Sequence, residues 1–287
     1  MAYLPVRDAL LQVFDVEHGG CALLTVPAPG VGCTRMLVDC GHNSTTKWYP
    51  GEHLRNLGVR YLEQLVITNY DEDHVSGYPN LLQQNIGVDW ILRNPTVSPQ
   101  TIRHLKTENG MGPGIDCLVK SLATYGPPVP GSVSSPQFHG VQVEWFFNPY
   151  PFFDDENNLS LVLHLTIHGF SFLFPGDMEC AGFENILRTN KRLRSVVGAL
   201  DVLIAAHHGR ESGICHAMFD AWNCRPKLVV ISDDYKQYDT QETTDYYANK
   251  SSGIENFRSM GNTRRVITTR SDGEIVFSFT ERRCIVS

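Results

Sequence analysis

The chain has 287 residues, 42% of them hydrophobic and 19% charged, and its 24 basic and 31 acidic side chains give a formal net charge of −7. That apolar content excludes wholesale disorder, and the acidic balance excludes a surface coated in charge for non-specific nucleic-acid binding. No apolar run approaches the ~18 residues of a membrane-spanning helix, and the opening MAYLPVRDALLQVFDV lacks the basic start and small-residue cleavage site of a secretory signal. A soluble, cytoplasmic chain with no membrane partner is expected.

The segments LLQVFDV and CALLTV flank the turn EHGG, so the chain opens with a predicted β-hairpin. RMLVDCG and QLVITN follow, then VQVEWFF, SLVLHLTI, FSFLFPGD, DVLIAAHHG, KLVVISDD, RVITT and EIVFSF. Such short runs of Val, Ile, Leu and Phe are the pattern of strands buried on both faces or nearly so. Helices are predicted around 52–58, 77–85, 100–124, 179–194, 212–222 and 240–258. Strands first pair by hairpins and then alternate with helices, and both halves of the chain do this. The pattern predicts an α/β (α+β) fold, a four-layer αββα sandwich with two sheets inside and helices outside. The loop-like stretch 126–136, GPPVPGSVSSP, is read as the connection between halves of one domain spanning 1–287. The eight cysteines are scattered and form no C-x-x-C pair. Free thiols are expected, because a chain this long builds its core without staples.

The strongest chemical signal is Thr68-Asn69-Tyr70-Asp71-Glu72-Asp73-His74, directly after the strand QLVI. Two of its carboxylates, Asp71 and Asp73, are not paired with a nearby Lys or Arg and would repel each other without a cation. A polar turn capping the next helix is the plain alternative. In Phe174-Pro175-Gly176-Asp177 an apolar strand ends in Gly-Asp, and alone Asp177 would read as an N-cap. Ala205-Ala206-His207-His208-Gly209 places two histidines at a strand end, and neutral imidazole is the commonest metal ligand. Asp39, ending the strand of Leu37-Val38-Asp39-Cys40-Gly41, is suited to orient a ligand histidine. His18, in the first hairpin turn, reads equally as a substrate-side group or as packing on Gly19 and Gly20. His42, His53, His104, His139, His164, His168 and His216 have no visible partner and read as structural or exposed. The basic run Arg188, Lys191, Arg192, Arg194 reads as a solvated helix face or a phosphate track.

In this order the segments resemble the metallo-β-lactamase-fold hydrolases, in which a strand-end Asp, an H-x-[HD]-x-D-H loop, a Gly-Asp and a final His build a one- or two-metal site. More particularly they resemble the branch typified by the hydrolase domain of the ComEC competence DNA-uptake protein. That branch shows D-V-G-[QH]-G-[DN], S-H-x-D-x-D-H, N-N-x-S-L-V-L, F-x-G-D and H-H-G-S. The counterparts here are Asp15–Gly20, Thr68–His74, Asn157–Leu163, Phe174–Asp177 and His207–Arg210, spanning roughly 10–280. Departures are Glu17 for Gly, Gly20 for an acid or amide, Asn69 for His, and Arg210 for Ser.

The resemblance implies one ion held by Asp73, His74, Asp177 and one of the histidine pair, taken as His207, with His208 left to protonate the leaving group. It implies a second, weakened site at Asn69, Asp71 and a residue near Glu156 or Asn157, with Asp177 bridging. An amide oxygen suits a hard cation better than zinc, so Mn²⁺ or Mg²⁺ is expected beside Zn²⁺, as one ion or two. Asp73, His74, Asp177 and His208 would carry catalysis through a metal-activated water, and no G-x-S-x-G elbow is present. The implied function is a phosphodiesterase or nuclease on DNA or RNA, stand-alone or a subunit of a bacterial assembly of the conflict or defence kind. The alternatives are a catalytically degenerate binding subunit and a hydrolase of a lactone, thioester or amide bond.

Overall fold

The computed structural model describes residues 8–30, 32–107, 110–125, 135–235, 239–280 and 282–287. Most of the predicted 126–136 connection lies outside the described residues. The first half supplies β1 (Ala9–Val13), β2 (Ala22–Ala28), β3 (Gly32–Val38), β4 (Tyr61–Leu62), β5 (Gln64–Val66), β6 (Gly87–Val88) and β7 (Ile91–Leu92). The second supplies β8 (Val141–Phe147), β9 (Leu161–Ile167), β10 (Phe170–Phe174), β11 (Val202–Ile204), β12 (Leu228–Ile231), β13 (Ile254–Glu255), β14 (Thr263–Arg264) and β15 (Val266–Thr268). The closing strands are β16 (Ile275–Thr280) and β17 (Arg283–Val286).

A seven-stranded sheet runs in the order β17-β16-β1-β2-β3-β5-β7, and a six-stranded sheet in the order β15-β12-β11-β10-β9-β8. In each, antiparallel hairpins give way to parallel strands: β3, β5 and β7 in one, β10, β11, β12 and β15 in the other. Parallel neighbours need crossover connections, and those crossovers are the outer helices. They are α1 (Pro50–Asn56), α2 (Glu72–Val75), α3 (Tyr78–Gln83), α4 (Pro99–Leu105) and α5 (Pro113–Thr124) in the first half. In the second they are α6 (Cys180–Thr189), α7 (Lys191–Gly198), α8 (His216–Asp220), α9 (Thr244–Lys250) and α10 (Thr269–Asp272). The expected αββα sandwich is present.

Alternation along each strand builds the layers. In β9, Leu161, Leu163, Leu165 and Ile167 enter the core between the sheets, while Val162 faces the outer helices. In β10, Phe172 and Phe174 point inward and Leu173 outward. Phe172 meets Phe277 and Phe279 edge-on, at centroid separations of 5.1 and 5.5 Å, so rings from both sheets interlock.

Two predicted helices divide. The stretch 100–124 becomes α4 and α5, because the glycines of Gly110-Met111-Gly112 weaken the helix and Pro113 is suited to start the next one. The stretch 179–194 breaks at Asn190, whose side chain accepts from the Arg192 and Leu193 N–H groups and caps α7. Within 240–258 only α9 is an α-helix, and β13 follows it. The basic run braces the outer layer: Arg192 pairs with Glu144 at 2.6 Å, and Arg194 stacks over Trp222 at 5.1 Å. All eight cysteines are free. No helix among the described residues is long and apolar enough to cross a membrane.

Candidate metal centre

The loops leaving β3, β5, β10 and β11 meet at one edge of the sandwich and carry Asp39, Thr68–His74, Asp177 and His207–His208. Backbone hydrogen bonds lace them together. The Asp39 N–H donates to Val66 O at 2.8 Å, Cys40 N–H to His74 O at 2.8 Å, and Leu161 N–H to Thr68 O at 2.7 Å. The last bond joins the two sheets. Asp39, His207 and His208 hold φ values of 55°, 51° and 54°, a left-handed backbone that costs non-glycine residues about 1–2 kcal/mol each. Beneath the metal loop, Gly19 and Gly41 close on one carbonyl, since a Cβ on either would lie 2.4 Å from Asp73 O.

One ligand atom from each of Asp73, His74, Asp177 and His208 lies within 4.8 Å of the others. Two donors on opposite sides of one ion, with bonds of about 2.0–2.6 Å, stand no more than about 5.2 Å apart. The spacing therefore suits a single ion. His74 directs Nε2 to Asp177 Oδ1 at 2.9 Å, and its Nδ1 faces Asp39 Oδ2 at 2.9 Å. Asp39 is fixed in turn by the Thr68 hydroxyl and by the Thr68 N–H, the latter at 2.7 Å. A carboxylate behind a ligand histidine sets its tautomer and ring direction. His208 Nε2 lies 3.1 Å from Asp73 Oδ2 and 3.4 Å from Asp177 Oδ1. It is buried without a well-formed hydrogen bond, the disposition of a ligand atom. A cavity of about 40 Å³ is lined by Gly20, Asp39, Thr68, His74, Asp177 and His208 among others.

Two imidazoles and two carboxylates fit Zn²⁺ or Mn²⁺, and the carboxylates demand positive charge beside them, from an ion or from protons on the rings. Burial acts to raise the Asp177 carboxyl, but His208 and His74 hold it well below the usual range. Burial acts to lower His74, yet Asp177 and Asp39 hold it well above its ordinary value. Against the same burial, Asp177 and Asp73 raise His208 to about 10. Without metal, protons on the rings do the neutralising. A protonated ring nitrogen cannot coordinate, so metal uptake must release protons and weaken as pH falls. Titration calorimetry in buffers of different ionisation enthalpy should show net proton release near neutral pH. Uptake that releases no protons and is equally tight at about pH 6 and pH 8 would rule out these histidines as ligands.

The structure exchanges the places expected for the two histidines of the pair. His208 joins the cluster. His207, whose successive left-handed residues turn its ring 72° from that of His208, lies at the rim. Its Nε2 accepts from Arg210 at 3.2 Å and stands 4.0 Å from Asp177 Oδ2, while its Nδ1 reaches Ser212 Oγ at 2.9 Å. Burial lowers its pKa. His18 packs its ring 6.3 Å from that of His208.

Asn69, Asp71, Glu156 and Asn157 gather beside the cluster, and Ser160 Oγ accepts from both the Asn69 amide and the Asp177 N–H. The Asn69 amide donates to Glu156 O at 3.4 Å, Asn157 Oδ1 at 3.3 Å and Ser160 Oγ at 3.1 Å, and its oxygen accepts the Asp71 N–H at 2.6 Å. The expectation that Asp71 lacks a basic partner is corrected. Lys106, just past α4, pairs with Asp71 and with Glu156 Oε1, the latter at 2.6 Å. Burial opposes its charge, but both carboxylates hold its pKa above the usual lysine value. A cleft of about 380 Å³ is lined by Asp71, Glu72, Lys106, Asp155, Glu156 and Asn157 among others. No motif announces Lys106, and Thr68 was legible only as part of the loop.

The layers and this strand-end centre define a protein of the metallo-β-lactamase fold with a cluster suited to a divalent metal. No family model matches the chain. ComE operon protein 3 of Bacillus subtilis (strain 168) is 24% identical over 238 residues, which cover 77% of this chain and 28% of that protein. The chain thus spans little more than a quarter of that relative. Among solved structures, CmlA, a diiron β-hydroxylase from Streptomyces venezuelae, is similar with a TM-score of 0.51 and 15% identity, covering 95% of this chain and 54% of that one. A metallo-β-lactamase superfamily structure from Thermotoga maritima has a TM-score of 0.41 and 11% identity, covering 90% of this chain and 97% of that one.

Proposed function

We propose that the chain is a metal-dependent phosphodiesterase that cleaves nucleic acid, working in the cytoplasm alone or within a larger bacterial assembly. The observation that carries this reading is the cluster of half-buried Asp73 with buried His74, Asp177 and His208, the last three lining a small cavity. The substrate class is what the resemblance to the ComEC branch implies, and the alignment with ComE operon protein 3 supports that resemblance. A divalent ion held by these four residues would supply Lewis acidity to activate water for attack at phosphorus. Asp39 holds His74 in the ligand orientation. Arg210 only donates, so His207 Nε2 is an unprotonated acceptor here; released from Arg210, it would be the ring nitrogen outside the cluster able to accept a proton from an attacking water. The Arg210 guanidinium beside it suits a phosphate oxygen.

A screen of DNA, RNA and bis(p-nitrophenyl) phosphate with Mn²⁺, Zn²⁺ and Mg²⁺ tests this, with cleavage in at least one metal expected. A second reading, a binding subunit, draws on Asn69 and Lys106, which occupy the side where a further ion is implied. Tight metal binding with no cleavage of any substrate would favour it. Arg210→Ala should raise KM about tenfold or more, because a charge-assisted hydrogen bond contributes about 1.5–3 kcal/mol, and Arg210→Lys should restore part of the loss. An unchanged KM in Arg210→Ala would remove Arg210 from substrate binding.

A further inference from the structure

We infer that this centre holds one divalent ion and not two, because the ammonium of Lys106 stands where a second cation would be. The residues implied for a second ion are gathered as expected, but one oxygen of each carboxylate, Asp71 Oδ1 and Glu156 Oε1, is taken by the same ammonium. Lys106 lies between Asp71 and Glu156. Lys106 is only 5% exposed, while its two partners are half-buried at the wall of the cleft, so the ammonium lies behind the carboxylates it bridges. The Asn69 oxygen accepts the Asp71 N–H at 2.6 Å, and backbone and side-chain oxygens around its NH₂ group set the amide that way round. Asp177 Oδ1 faces His74 and His208, on the side of the first ion. A divalent ion entering between Asp71 and Glu156 would meet a buried ammonium of like sign. A lysine there neutralises both carboxylates at fixed geometry and needs no metal supply. This makes Lys106 a positioning residue: it holds the Asp71 and Glu156 walls of the cleft in place.

The test is metal stoichiometry, which needs no substrate. The wild type, saturated with Mn²⁺ and freed of excess, should contain one ion per chain by elemental analysis and give an isolated, not spin-coupled, Mn²⁺ resonance. Lys106→Ala frees Asp71 and Glu156 and should raise the content to two ions per chain. Lys106→Gln repeats the measurement with a polar, uncharged side chain that stays within reach of both carboxylates, and circular dichroism confirms which variants are folded. Two ions in the wild type would overturn the inference and leave the phosphodiesterase reading standing. One ion in every folded variant would also overturn it, since Lys106 would not be what excludes the second. A wild type that binds no ion at any concentration would end both this inference and the proposed function.

Discussion

Asp177→Ala and His208→Ala are each expected to abolish metal-dependent cleavage, with kcat/KM falling about 10³-fold or more. Metal Lewis acidity contributes several kcal/mol to a transition state, and each 1.36 kcal/mol is a factor of ten in rate. Asp177 Oδ1 serves both cluster histidines, at 2.9 Å from His74 and 3.4 Å from His208. His208 Nε2 faces both ligand carboxylates. Losing either group therefore opens the donor set, and bound metal should fall with activity. His207→Ala provides the contrast: it should keep its metal and lose about 10²-fold or more in rate, the usual scale of a proton-transfer group. If His207→Ala empties the site while His208→Ala retains a full ion, the assignment of the two histidines is reversed.

Gly41→Ala should lower metal affinity and rate by about a hundredfold while secondary structure stays intact. The new Cβ would lie 2.4 Å from Asp73 O and 3.0 Å from Gly20 O. Both are backbone atoms, so no side chain can swing aside to make room. The metal loop must shift at Asp73, and a displacement near 1 Å in such a site costs about 10². Metal titration beside circular dichroism measures it. Wild-type affinity in the folded variant would mean that the loop absorbs the shift elsewhere.

The layers were legible because each strand carries its burial pattern in its own residues, as in the runs of β9 and β10. The loops of the centre were legible because Asp and His directly after an apolar strand are exposed to chemistry at a sheet edge. What was not legible depends on distance or on backbone hand. Lys106 lies 35 residues from Asp71 and 50 from Glu156, so no local pattern pairs them. The roles of His207 and His208 turn on left-handed φ values at two successive residues, which composition cannot announce. The break at Asn190 was readable, since Asn is among the strongest caps. The Gly110–Pro113 interruption was readable too, from Gly and Pro as breakers.

The donors come from both sheets: Asp73 and His74 follow β5, while Asp177 and His208 follow β10 and β11. An ion held by all four is a removable clasp between the two halves of the sandwich. Its binding free energy is then also cohesion: at a free-ion concentration 100 times its dissociation constant it adds about 2.7 kcal/mol to the folded state. The persistence of the folded chain would follow the supply of free ion. Starvation for metal would silence the centre and, through the same four side chains, loosen the seam on which the sandwich closes.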